Sequence, residues 1–500
     1  MTVVLNDVGD FTLDTLERIA VKGEAATIGE TGLNALTAAN RAFTDYVTAN
    51  SEDFIYGVTS DYGPHAGRKV DSAGRATRKA LGVPFLGLSF GDGDLEEAQV
   101  RAMVFAMLAL FLRHGAAVRP EAAVALTEIL KGGLPKIPDA GLTSPGEILP
   151  LFYLLRAVPE LIGIDGLQAS AGNTAAASVG SAGIAAIRAR RRLVLAHKVF
   201  ALSVEAMKAP LEHFDPVLKE LWGDPHEAAA LDSVGLWLAG VPEAGRRAFQ
   251  APVSYRILPR VLGQSGRAVG KLRQNVDWAL GAMVSNPMFI GEDLGEGPAR
   301  AISTGGYHNA PVAQALEGVA AAWVDLAALA HRHAVKLHRG AVSHLPDRLV
   351  REGELYWSGR STTYMEFLPN DSIDEMRRWA EPALLSPGEP GASLQDDVSA
   401  PGLIACRNEA RVGRLFDRVL TVLAAVACHA LQVTERPPPP RLAPFAAAIA
   451  RRFPPIEEKR VLGVDAATLC AAFTEAVVGA NDLLTDDDLA AAPVGLEAMP

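Results

Sequence analysis

Between Gln314 and Leu337 the apolar residues Leu316, Val319, Trp323, Leu326 and Ala330 recur at steps of three and four, and His333 and Leu337 continue the seam. That spacing draws a narrow stripe along one helix face, suited to a coiled-coil-like bundle. A second stripe, Val269, Leu272, Val276, Leu280 and Met283, runs through Arg267 to Met283. Nearer the N-terminus, LDTLERIAVKG (Leu13 to Gly23) has an acidic first turn and ends on glycine, which predicts a first helix. Residues 95–130 predict two helices broken at HGAAVRPE, and period-two alternation is slight, so few strands are expected. The fold class expected is mainly α.

Three consecutive segments are expected: 1–200, 201–435 and 436–500. A glycine- and alanine-rich patch, Ala169 to Ala185, precedes the long helical middle. RPPPPRLAP (Arg436 to Pro444) is a stiff connector that cannot continue a helix. Beyond it lie a short helical region and the acidic stretch LTDDDLAAAP (Leu484 to Pro493), which reads as a solvated end.

Composition narrows the partners. The chain has 500 residues and a formal net charge of −11, a poor match for a phosphate backbone, so nucleic acid is not expected. The apolar runs Met103 to Leu112 and Val419 to Leu431 are shorter than the roughly 20 residues of a membrane span, so no membrane is expected. The three cysteines stand far apart without a CxxC pair, and the first residues carry no basic leader, which points to a reducing, cytoplasmic setting. His331, His333 and His338 lack the four-residue spacing of helical metal ligands, and His333 on the apolar seam reads as a core histidine, so no metal is expected. Phosphate-binding glycine loops are absent from the sequence.

Three segments together resemble the histidine and phenylalanine ammonia-lyase family, which includes related aminomutases. IYGVTSDYG (Ile55 to Gly63) is similar to the family's tyrosine loop, YGVNTGFG. RAMVFAMLALFLRHGAAVRPE (Arg101 to Glu121) follows RAxxxxRxNxLxxGxSGVRPE without a gap, and QAPVSYRILPRV (Gln250 to Val261) tracks QDxYSxRCxPQV. SNP (Ser285 to Pro287), STGGYHN (Ser303 to Asn309) and LQDDVS (Leu394 to Ser399) echo DNP, SGGNFHG and QEDHVS, in the family's order. The resemblance implies a helical subunit around a central bundle of long helices, a homotetramer, and active sites shared between subunits.

It also implies an internally formed cofactor, which these residues refuse. The family cyclises an Ala-Ser-Gly triad within IPxxGSVGASGDLAPLAH into methylidene-imidazolone. Here the stretch is IPDAGLTSPGEILPLFY, two residues shorter, with Ser144-Pro145-Gly146 at the triad. Proline has no β-hydroxyl to eliminate. If Thr143-Ser144-Pro145 is taken instead, the cyclising nitrogen is proline's, which carries no hydrogen. The expectation is therefore no cofactor.

The site residues implied by the resemblance are Tyr56 as the catalytic phenol, Tyr307 as an added acid or base, Arg256 as a carboxylate clamp, and Gln250 to orient it. Ser89 and Phe90 stand at the selectivity pair, Asn173 stands near the family's asparagine, and Asp396 or Asp397 replaces the acid of QEDH. The expectation is proton-transfer chemistry (elimination, hydration, isomerisation or cyclisation) on a small carboxylate- or carbonyl-bearing substrate. The competing expectation is a catalytically silent homologue that binds a small molecule or acts as a scaffold.

Overall fold

The computed structural model describes residues 2–81, 88, 90, 93–113, 115–141, 143–158, 171–247, 249–292, 297–383 and 396–494. Strands β1 (Thr2–Leu5) and β2 (Ala25–Ile28) pair in parallel, from Thr2 opposite Ala25 to Leu5 opposite Ile28. Helix α1 (Glu30–Ala49) follows, then α2 (Glu97–Leu112), α3 (Pro120–Ile129) and α4 (Ile148–Ala157). Four long helices come next in the chain: α5 (Ala176–Met207), α6 (Leu258–Gly281), α7 (Ala310–Leu337) and α8 (Gly402–Val433). Between α6 and α7, β3 (Met288–Ile290) and β4 (Arg300–Ile302) pair antiparallel. Helices α9 (Ala443–Arg452) and α10 (Leu462–Val478) lie beyond the proline connector. The fold is mainly α, with only these two small sheets among the described residues.

The contacts divide the chain into two units. The first is residues 1–187, 273–316 and 382–407; the second is 188–272, 317–381 and 408–500. They interleave along the sequence, unlike the three consecutive segments expected, because each long helix gives one part to each unit.

The first unit has its core in α2, which is apolar all round and buried from Val100 to Leu112. Its one charged buried residue, Arg101, donates to the carbonyls of Ile19 at 2.8 Å, Glu24 at 3.0 Å and Leu130 at 2.7 Å. A buried guanidinium spread over three carbonyls ties the first helical turn and the end of α3 to α2. The expected helix at Leu13 is present, with Leu13–Leu16 continuing as a π-turn over Glu17–Val21.

The apolar stripe of α7 is fully buried from Leu316 through His333 to Leu337. On α6, Val269, Leu272, Val276 and Leu280 are buried, while Met283 falls past the helix end. In the second unit, the indole of Trp323 stacks on Phe416 with ring centres 5.4 Å apart and donates to Glu409 at 2.9 Å. Arg192 grips Asp417 with two bonds of 2.8 and 3.1 Å. The two parallel charge-assisted bonds offset the cost of taking both charges out of water.

Two expectations change. By length and mean hydropathy, Ala310–Leu337 and Gly402–Val433 are apolar enough to cross a membrane, which the search for uninterrupted apolar runs missed. Their apolar windows are 61% and 83% buried within the protein, as core helices of a bundle would be. The acidic end is also more than solvated. Asp486–Ala491 forms a helix capped by Thr485, Leu483 and Leu489 are buried, and Asp488 accepts from Lys198 Nζ at 2.7 Å.

Candidate active site

The tyrosine loop is folded by its own backbone. The carbonyl of Ile55 receives the amides of Val58, Thr59 and Ser60 at 2.9, 3.0 and 3.1 Å. The buried Thr59 hydroxyl accepts the Ile55 amide at 2.8 Å and donates back to the Asp53 carbonyl. This tight knot holds Tyr56 half-buried, its ring edge-on to Tyr62 at 5.9 Å. The Tyr56 oxygen accepts the amide of Gly63 at 3.2 Å. Gly63 has φ +52°, a left-handed backbone that glycine takes without a Cβ clash, so the motif's last glycine lets its N–H face the phenol.

Tyr56, Tyr307 and Asp396 form one electrostatic group in the first unit. Burial raises the Tyr56 pKa most, the Gly63 amide opposes it, and Asp396, Tyr307 and Asp61 add to the rise. Tyr307 is raised by burial, then by Asp396 and Asp397. Asp396 is raised by burial, then by Asp397. A phenol so placed stays neutral and is built to donate a proton, while a carboxylate with a raised pKa is a better base than a solvated one. The resemblance casts the loop tyrosine as a base; these surroundings favour the acid role.

The turn that carries Tyr307 is fixed at both ends. The Asn286 side-chain oxygen accepts the Ser303 hydroxyl at 3.0 Å and the Thr304 amide at 2.8 Å. At the other end, Asn309 Nδ2 donates to the Ser178 hydroxyl at 3.3 Å. The SNP and STGGYHN motifs thus meet in space.

The degenerate triad forms a strained corner before α4. Gly146 and Glu147 are both left-handed, at φ +59° and +51°. A glutamate there is uncommon and must be held by its surroundings. A Cβ on Gly146 would lie 1.6 Å from the Asn173 side-chain oxygen, so glycine is required by contact as well as by φ. The Ser144 carbonyl accepts the Glu147 amide at 3.3 Å and the Ala400 amide at 3.2 Å. These residues do not fit the family's cofactor. Pro145 stands where a serine must lose water, and proline has no β-hydroxyl to lose.

Sequence reasoning missed Glu147. It is 2% exposed, and its Oε2 accepts the Ser178 amide at 2.8 Å at the start of α5. Its Oε1 has no partner, and burial lifts its pKa to about 7 against the opposing Ser178 and Ala177 hydrogen bonds. The signal was in the motif, since Glu147 directly follows the triad where ASGDLAP has its aspartate.

Other expected residues are scattered. Asn173 lies against Gly146, and its side-chain oxygen is buried without a partner. Phe90 is 86% exposed, beside Gly141, and Ser89 lies outside the described residues. Arg256 and Gln250 belong to the second unit. Arg256 is half-buried on the short helix Val253–Arg256, its Nε buried without a hydrogen bond, and Gln250 is exposed. Among the described residues no group of three or more His, Cys, Asp or Glu is placed to hold a metal ion.

The fold and these motifs define a helical lyase-type subunit. The family model for aromatic amino acid lyase matches residues 11–164 and 160–453, and the chain belongs to that family. It is 27% identical over 446 residues to the histidine ammonia-lyase of Symbiobacterium thermophilum, covering 82% of this chain and 85% of that one. In structure it is similar to the phenylalanine aminomutase of Pantoea agglomerans, with a TM-score of 0.84 at 18% identity over 95% of this chain and 100% of that one. The histidine ammonia-lyase of Trypanosoma cruzi superposes with a TM-score of 0.81 at 18% identity, covering 99% and 98% of the two chains.

Proposed function

We propose that this chain is an enzyme that works without the family's methylidene-imidazolone, by acid/base proton transfer on a small carbonyl- or carboxylate-bearing metabolite. The observation that carries the reading is the grouping of Tyr56, Tyr307 and Asp396, with both phenols raised and the carboxyl raised beside them.

The roles follow from these shifts. Asp396 takes a proton from carbon next to a carbonyl, and Tyr56 donates to the oxygen on which charge develops. Tyr307 is the second donor. Neutral phenols in a partly dry site stabilise an oxyanion without needing a positive charge of their own. Elimination, hydration, isomerisation and cyclisation all pass through such an enolate. The reacting carbonyl is favoured over a free carboxylate at this spot, since Asp396 and Asp397 repel a second anion. Arg256 remains a proposed carboxylate clamp, and its planar fork suits that task. A cytoplasmic homotetramer with shared sites completes the proposal, and sedimentation velocity on the purified chain tests its assembly.

The test is deuterium exchange from solvent into a panel of β-keto, enone and hydroxy acids, followed by proton NMR. Exchange with one class, lost in Tyr56→Phe at unchanged Tm, supports the reading. Exchange that is absent throughout, or equal in Tyr56→Phe, makes the chain a silent homologue. An intact mass lower by two waters would restore the cofactor.

A further inference from the structure

We propose that the cavity between the start of α2 and the loop after α3 is a binding site for a small organic carboxylate, with the buried guanidinium of Arg101 as its anion partner. The inference goes beyond the proposed reaction, since none of its residues belongs to the Tyr56 group.

The cavity measures about 500 Å³ and lies within the first unit. That volume is in the range of small-molecule sites. Arg101 lines it and is only 5% exposed. A guanidinium has five N–H donors, and the carbonyls of Ile19, Glu24 and Leu130 take three of them. Those carbonyls offset lost hydration but carry no net charge. Among the described residues Arg101 is paired with no carboxylate. Burial lowers its pKa, and Glu97, exposed one turn earlier on α2, raises it. A buried cation is normally paired, so an unpaired one in the wall of an open cavity points to a counter-ion from outside.

The rest of the wall selects the kind of anion. Arg101, Lys131 and Lys136 face Asp94 and Glu97 across it, three cations to two carboxylates, which suits a monoanion. Lys136 stands 3.6 Å from Asp94 and Lys131 2.6 Å from Glu128, all four side chains being well exposed. Such exposed pairs are weak, and the lysines are free to turn to a ligand. Leu95, Val100, Leu134 and Pro135 supply an apolar surface, which favours a carboxylate with a hydrocarbon body over a phosphate. Its planar head matches the guanidinium fork.

The loop leaves room for it. Gly132 and Gly133 both line the cavity, and a Cβ on Gly132 would meet nothing within 4 Å. Beyond them the segment is pinned, with the Leu95 amide donating to the Ile137 carbonyl at 2.7 Å and the Asp139 amide to the Gly93 carbonyl at 3.1 Å. Gly133 has φ +92°, a backbone that Gly132 does not share, so Gly132 is the position that accepts a side chain.

The experiment is calorimetric titration of the full chain with acetate, isovalerate, hexanoate and inorganic phosphate, at constant ionic strength set with chloride. Isovalerate or hexanoate should bind more tightly than acetate and phosphate. Arg101→Gln and Gly132→Leu should each weaken that binding about 10-fold or more, the usual worth of a hydrogen bond to a charged group. Gly132 is exposed, so its variant keeps the test valid if Arg101→Gln fails to fold. Arg256→Ala should bind as the wild type does, which separates this cavity from the proposed substrate clamp. The inference is overturned by no heat with any carboxylate, by acetate or phosphate binding as tightly as the longer acids, by unchanged binding in Gly132→Leu, or by loss of binding in Arg256→Ala. The titration needs no turnover, so its failure leaves the acid/base reading standing, and loss of that reading leaves the binding result intact.

Discussion

Tyr255 in the second unit and Tyr56 in the first both have phenol pKa values raised chiefly by burial. Tyr255 is fully buried and stacks on His333 with ring centres 3.6 Å apart. His333 Nε2 donates to the Ser254 carbonyl at 3.0 Å, so its Nδ1 accepts from Ser203 at 3.1 Å, and Tyr255 completes the circuit at 3.2 Å from the same hydroxyl. The Tyr255 and Ser203 hydroxyls and both His333 ring nitrogens have partners inside the protein. Tyr56 and Tyr307 are half-buried, and what surrounds them is charge of one sign. The contrast teaches that a shifted pKa marks chemistry only where the group is reachable and its neighbours leave work undone.

The largest test of this difference is Tyr56→Phe. On the substrate that the exchange panel identifies, the rate should fall by about 10²–10⁴-fold, the usual worth of a positioned acid or base. Tyr255→Phe should leave the rate near wild type and lower the Tm. If the two variants exchange phenotypes, the assignment of site and core is reversed.

The second test uses pH. Burial pushes His333 from 6.5 down to about 3, so the folded state holds it neutral while the unfolded chain protonates it. The stability this provides is whole above 6.5 and is lost as pH falls towards 3, at about 1.4 kcal/mol per pH unit. Glu147 runs the other way. Its folded pKa lies above its unfolded one, so stability is present below 4.5 and is lost as pH rises through about 7. Urea denaturation across pH should show His333→Gln flattening the acid limb and Glu147→Gln removing a fall in stability between 4.5 and 7. Unchanged slopes would mean that neither group is buried as described.

Ser203→Ala comes third. It leaves the Tyr255 hydroxyl and His333 Nδ1 short of a partner, and a buried orphaned polar group costs about 1–3 kcal/mol. The Tyr255 hydroxyl keeps only a long contact, 3.5 Å, to the His333 carbonyl. Denaturation should register the loss while exchange activity stays. A loss of activity with intact stability would move the Ser203 circuit into the site.

The helical stripes were legible because three-and-four spacing is a property of the chain itself. Leu316 to Leu337 could be read as one buried face, and His333 as core, without any knowledge of what it faces. The tyrosine loop and the failed triad were legible for a similar reason, since their chemistry sits in consecutive residues. Glu147 was not, because its burial depends on Ser178, thirty-one positions away, closing over it. The raised pKa of Tyr56 was hidden too, as it comes from burial first and then from Asp396, which only the fold brings near. The acidic end misled for the same reason, because its anchor, Lys198, is distant in sequence.

The finest test is Asp396→Asn. After burial, the Asp396 carboxylate does most to raise both Tyr307 and Tyr56. Removing its charge should lower both phenol midpoints yet leave them above an ordinary tyrosine, because the desolvation stays. Ultraviolet difference titration reads this directly, with Tyr56→Phe and Tyr307→Phe assigning the two steps. Tyr255, in the other unit, should not respond. Midpoints for Tyr56 and Tyr307 that stay fixed in Asp396→Asn would show that the carboxyl does not act on the phenols. The grouping that separates this site from the Tyr255 core would then be gone, and with it the base in the proposed reaction.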